Sequence, residues 1–366
     1  MNIEARQVER SAKAKLSIID CDIHPKSSLE DLRPYLSNRW WDYAQTYGAR
    51  SHHGYVQGFP YPKGQPLASR RDAWPPGGGL PASDLAFMQK QHLDFYGVEY
   101  ALMNPLSPTG QGEQNDEYSA ALAYAANEFQ LNHWNALDAR LKASLIVPYE
   151  DAEASRREIR RRTGDRRFAQ VLMLTRTSEL MGRRRYWPIY QAACEAGLPV
   201  GVHVFGYSGR AVSNTGWPSF YIEEMTEHAC ACQAQVTSLI MEGVFENFPD
   251  LKIVLIEAGF GFIPALGHRL DRNWKRMRAG LPHLKRAPSE YLRQHFWVTT
   301  QPMEEPENPA HLIDLMEAIG FDRILFSSDY PHWDFDDPFV VLPASLGEER
   351  RKRIYSSNAR ALYGFA

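Results

Sequence analysis

Ile18-Ile19-Asp20-Cys21-Asp22-Ile23-His24-Pro25 takes an apolar run into two carboxylates and an imidazole spaced two residues apart. In an extended strand, side chains at i and i+2 point the same way, so Asp20, Asp22 and His24 share one face that can hold a cation. Pro25, which has no N–H, stops the strand. Acidic residues after a strand also form turns and cap helices, so this stretch alone leaves a metal-ligand reading and a turn reading open.

Working outward, seven further apolar, β-branched runs follow Leu16–Asp20: Tyr100–Met103, Ala143–Val147, Ala169–Leu174, Pro199–His203, Lys252–Ile256, Phe296–Thr299 and Ile324–Ser328. Most are apolar on both faces, the pattern of parallel strands covered by helices on one side and a barrel interior on the other. Helical periodicity fills the gaps over Glu117–Ala139, Glu150–Arg162, Tyr186–Glu195, Glu223–Phe245, Gly261–Met277 and Pro309–Ile319. The expected architecture is a single (β/α)8 TIM-type barrel over residues 1–366, ending in a charged C-terminal helix within 348–366. Between the first two strands, residues 27–99 form a Pro/Gly-rich insertion, expected to act as a lid or subunit contact. It carries His52-His53, which read either as exposed loop histidines or as metal or substrate groups.

Composition narrows the function. With 41 basic and 44 acidic residues the formal charge is −3, which gives no footprint for nucleic acid or an acidic membrane surface. The Arg156 to Arg167 cluster reads as a solvated helix face. Four unevenly spaced cysteines fit free thiols in a reducing compartment. Met1 to Lys15 lacks the apolar core of a signal peptide, and no run of 18 apolar residues occurs, so the expected location is cytoplasmic.

In such barrels the chemistry sits at the C-terminal ends of the strands. The first strand ends in Asp22 and His24, the fifth in His203, the sixth in Glu257 and the eighth in Asp329. Each has a bland alternative: a hydrogen-bonded structural histidine, a helix cap at Glu257, a turn at Asp329. Placed together on one rim, they make a metal site. His332, Trp333 and Asp334 continue past Asp329 as supporting or substrate-facing groups. Arg176 and Gln301, after the fourth and seventh strands, could reach a carboxylate substrate.

Asp20-x-Asp22-x-His24, His203, Ile256-Glu257-Ala258-Gly259-Phe260-Gly261-Phe262-Ile263-Pro264, Ser328-Asp329-Tyr330-Pro331-His332 and Asn358-Ala359-Arg360-x-Leu362-Tyr363-Gly364 resemble the amidohydrolase-related superfamily. That group includes aminocarboxymuconate-semialdehyde decarboxylase and γ-resorcylate decarboxylase, and the resemblance covers nearly the whole chain. Two positions depart from the first of these: Asp22 stands where a histidine is expected, and Glu257 replaces the catalytic histidine after the sixth strand. A carboxylate with an ordinary pKa is a poor proton donor at neutral pH. The chain also looks similar to the branch containing 2-aminoisobutyrate hydroxylase, a metal-dependent monooxygenase.

Asp22, Glu257 and Asp329 beside His24 and His203 make a donor set that suits Fe or Mn at least as well as Zn. Three carboxylates exceed the need of one divalent ion, so two bridged metals are expected, with His52, His53 or His332 completing the second site. The resemblance then implies a dinuclear, O2-dependent monooxygenase hydroxylating a small carboxylate such as 2-aminoisobutyrate. Glu257 and His332 would be its catalytic groups, Arg176, Gln301 and Trp333 would bind substrate, and an outside donor would supply electrons. The alternative is a mononuclear Zn or Mn decarboxylase or hydrolase of a small, aromatic carboxylate. A third reading is a non-catalytic barrel subunit; in any case a homo- or hetero-oligomer with a homologous subunit is expected.

Overall fold

Burial explains why these runs become strands. In a computed structural model, which describes residues 17–48, 64–206, 211–213 and 215–366, every residue of β1 (Ile18–Ile23), β4 (Phe168–Leu174), β5 (Val200–His203), β6 (Ile253–Ile256), β7 (Phe296–Thr299) and β8 (Ile324–Leu325) is buried. With β2 (Val98–Met103) and β3 (Leu141–Ile146) they form one parallel sheet in the order β1 to β8. The ring closes where Cys21 N donates to Phe326 O (2.9 Å), His24 N to Tyr330 O (2.8 Å) and Asp329 N to Asp22 O (3.1 Å). The expected (β/α)8 barrel is therefore present. Among the described residues no helix is long and apolar enough to cross a membrane.

Several boundaries differ from the sequence reading. β1 runs on to Ile23, so Asp22 lies within the strand rather than past it. β8 is short because side chains replace its ladder: Ser327 N donates to Thr300 Oγ1 (3.0 Å) and Ser328 N to Asp20 Oδ1 (2.9 Å). The predicted helix Glu223–Phe245 is Tyr221–Met241 followed by Val244–Asn247, broken at Gly243, whose φ of 76° favours glycine. Glu117–Ala139 is Asp116–Phe129 continued by a π-helical turn over Gln130–Asn135.

The insertion is not the irregular loop its prolines and glycines suggest. It contains the helix Asn38–Tyr47, capped by the Ser37 side chain accepting from Trp40 N, and a helical run over 85–96 that ends at Gly97. The second run lies against the closing seam, with Tyr330 OH donating to Gln91 Oε1 (2.9 Å) and the His92 ring stacked on Tyr330. Arg70 N donates to Pro331 O and Trp333 N to Ala68 O, so this segment borders the rim beside β8.

Candidate metal centre

The rim residues converge. One donor atom each from Asp22, His24, His203 and Glu257 lie within 4.8 Å of one another, and the same holds for His24, Glu257, Asp329 and His332. All six side chains are buried. His24 Nε2 stands 3.2 Å from Asp22 Oδ1 and 2.9 Å from Asp329 Oδ1, and His203 Nε2 stands 3.0 Å from Glu257 Oε2. The other ring nitrogens are fixed by backbone carbonyls, His24 Nδ1 by Asn104 O and His203 Nδ1 by Val204 O, each at 2.7 Å. This orients both Nε2 atoms inward. Glu257 and Asp329 sit at φ values of 56° and 60°, a left-handed conformation uncommon for non-glycine residues and concentrated at functional sites.

Burial of so much charge sets the protonation. Burial alone would lower the pKa of His24, but the Asp22 and Asp329 carboxylates overcome it and raise it to about 9. His203 is likewise raised well above the ordinary value, by Asp22 and Glu257 against burial. Asp22 moves the opposite way: burial would raise it, yet the two imidazoles hold it well below the carboxylate range. Burial pushes Asp329 up to about 6 and also raises Glu257, which feels the Asp329 charge next. Without an ion, the carboxylates balance two imidazolium groups.

Other sequence-selected residues fall into distinct places. Asp20 stands apart from the cage, accepting from Ser328 Oγ (2.5 Å) and lying 2.8 Å from His92 Nε2. His332 stacks on His24 with its Nδ1 2.6 Å from Asp329 Oδ1. Gln301 is behind Asp329, its amide donating to Asp329 Oδ2 (3.2 Å) and Asp334 Oδ2 (3.1 Å). Arg176 follows β4, and its backbone N–H donates to Phe205 O. Trp333 is 42% exposed, near Tyr221 at the outer edge. His52 and His53 lie outside the described residues.

Some contributors escaped the sequence reading. Asn104 donates to Asp22 Oδ1 (2.8 Å) and Cys21 O, and accepts from Ser144 Oγ (2.6 Å) and Gln170 Nε2 (3.1 Å). Gly201 makes room for this network, since a Cβ there would stand 2.8 Å from the Gln170 carboxamide. Asn104 directly follows the second apolar run, so the strand-end rule that found His203 could have found it. Lys26, two residues past His24, feels the Asp329 and Glu257 charges, which oppose the lowering of its pKa by burial.

The expectation of two bridged ions per chain does not hold. Among the described residues the two donor groups share His24 and Glu257, so they outline one cage suited to a single ion. The surplus carboxylates that suggested a second metal are engaged with His24, His203 and His332.

A family model described as amidohydrolase matches residues 19–365. A γ-resorcylate decarboxylase from Polaromonas sp. (strain JS666) is 26% identical over 288 residues, covering 74% of this chain and 85% of the relative. An amidohydrolase structure from Mycobacterium avium subsp. paratuberculosis K-10 has a TM-score of 0.72 at 23% identity, covering 96% of this chain and 99% of that one. A dihydroxybenzoic acid decarboxylase structure from Polaromonas sp. JS666, with bound manganese and the inhibitor 2-nitroresorcinol, has a TM-score of 0.63 at 21% identity, covering 95% and 97%. The matching curated relatives are decarboxylases, which overturns the expected O2-dependent monooxygenase; iron and an outside electron donor gain no support from them. Oxygen-rich donors fix how hard the cation is and leave the reaction open.

Proposed function

The chain belongs to the amidohydrolase family, and on that premise we propose that it is a non-oxidative decarboxylase of a hydroxylated aromatic carboxylate, using one divalent ion with manganese favoured over zinc. The observation that carries the ion is a cluster of buried ligand atoms packed against one another: Asp22, His24, His203 and Glu257, and again His24, Glu257, Asp329 and His332, each bring one such atom within 4.8 Å of the rest. Asp22 Oδ2, His24 Nε2 and His203 Nε2 make no aligned hydrogen bond there and meet only the charges of the other cage residues, which a cation would satisfy. The manganese-containing decarboxylase structure and the decarboxylase relatives support the metal and the reaction.

In this reading Asp22, His24, His203 and Asp329 hold the ion, while Asn104, Gln301 and His332 orient those ligands. A bound divalent ion would supply the positive charge that orients the substrate carboxylate and a neighbouring ring oxygen. Glu257, whose pKa is raised by burial and by Asp329, carries a proton and delivers it to the ring carbon bearing the carboxylate. The carbon–carbon bond then breaks, CO2 leaves, and its electron pair restores the ring. Glu257 recovers its proton from water. Arg176 and Trp333 border the substrate.

The test is CO2 release by manganese-loaded protein from 2,6-dihydroxybenzoate and 5-carboxyvanillate under anaerobic conditions. Turnover of at least one is expected, equal with and without O2 and lost on chelation. Metal-loaded protein that releases no CO2 from any hydroxybenzoate would reject the proposal.

A further inference from the structure

Helix Tyr221–Met241 carries one buried imidazole that the chemistry above does not use. His228 is 3% exposed, and neither of its ring nitrogens has a hydrogen-bond partner among the described residues. A buried histidine left open at both nitrogens is rare enough to require a reason. Its position is fixed by the helix around it. Gln235, two turns further along on the same face, donates to Thr175 O (2.6 Å) and Thr177 Oγ1 (3.1 Å) and accepts from Met181 N (2.8 Å).

The ring that neighbours both His228 and His203 is equally fixed. The Phe205 centroid lies 4.9 Å from His228, edge to face, and 5.9 Å from the metal-cage residue His203. Phe205 adopts φ 82°, and its carbonyl accepts from Arg176 N (2.9 Å) and Thr175 Oγ1 (3.2 Å). A non-glycine residue held in that region is uncommon and persists only where the surrounding structure fixes it. Burial, then the charges of Arg176 and His203, push the His228 pKa down to about 3, so the ring is neutral. A neutral imidazole offers one donor and one acceptor, which matches a hydroxyl group.

We infer that His228 is a specificity-determining residue that hydrogen-bonds a ring hydroxyl of the aromatic substrate, at the end away from the metal cage, with Phe205 against the ring. The inference rests on the decarboxylase reading of the cage. It is tested by binding, not turnover. Calorimetry on manganese-loaded protein would compare 2-hydroxybenzoate with the dihydroxybenzoates that add a second hydroxyl at position 4 or 5.

In the wild type, one of the added hydroxyls is expected to tighten binding by about tenfold or more. His228→Phe should erase that gain while leaving 2-hydroxybenzoate affinity and manganese content unchanged, and His228→Gln should restore part of it. Persistence of the gain in His228→Phe, or in a fully folded His228→Leu should the phenylalanine variant misfold, overturns the role of His228 alone. A second hydroxyl that never tightens wild-type binding does the same. Wild-type protein that holds manganese but binds none of these acids overturns the decarboxylase reading as well.

Discussion

Glu257 and Asp329 reach the cage from backbone positions at φ 56° and 60° that most side chains avoid, so the fold holds both carboxylates in place at some cost. They are not equivalent. Asp329 is engaged by His24, His332 and Gln301, whereas Glu257 Oε2 meets His203 Nε2 at 3.0 Å. This asymmetry suits Asp329 to hold an ion and Glu257 to hold a proton. Glu257→Gln is therefore expected to retain stoichiometric manganese by elemental analysis while losing about 100-fold or more of the decarboxylation rate. If manganese content collapses together with activity, Glu257 is a ligand and the proton comes from elsewhere.

At the scale of elements, β1 and the β8 end of the ring meet through polar side chains as well as through backbone hydrogen bonds. Asp20 is the centre of that seam, accepting from the Ser328 backbone and hydroxyl and from Asp22 N, and touching His92 of the insertion. It ties three elements together from a fully buried position. Removing a buried carboxylate leaves its donors unpaired, so Asp20→Ala should lower the urea-unfolding free energy by about 3–5 kcal/mol. Asp22→Ala should instead act first on manganese affinity. A stable Asp20→Ala protein that fails to bind manganese would move Asp20 into the cage.

For the whole molecule, the cage couples metal, protons and stability. The folded pKa of His24 is raised from 6.5 to about 9, so its ionic contribution is fully present below 6.5 and is lost as pH rises through about 9. His203 shifts in the same direction. The metal-free protein should therefore weaken across that window. A metal needs the neutral imidazoles, so manganese binding should release protons and tighten as pH rises. An ion present at about 100 times its Kd adds about 2.7 kcal/mol of stability. The gain in Tm on adding a fixed concentration of manganese should be larger near pH 8.5 than near pH 6.5, and calorimetry in two buffers should count the released protons. A pH-independent gain with no proton release would show that the imidazoles are not ligands.

The eight strands and the cage donors were legible in the sequence because both signals are local. An apolar run with a polar residue at its end declares a barrel strand and its rim position without reference to any neighbour, as His203 after β5 illustrates. Tertiary structure decided what depends on partners distant in the chain. Asp20 and Asp22 share a strand, yet one meets Ser328 and His92 while the other meets Asn104 and His203. Alternation alone could not separate them. The insertion helices were hidden by flanking prolines and glycines, since they are stabilised by partners distant in the chain: the 85–96 run packs on the seam, and Asn38–Tyr47 packs on Tyr118. Three carboxylates were read as two ions because a sequence does not show that His24 and His203 take up their charge. Residue type determined that the site is suited to a hard cation; the single point on which those residues converge was decided by the closed ring of strands.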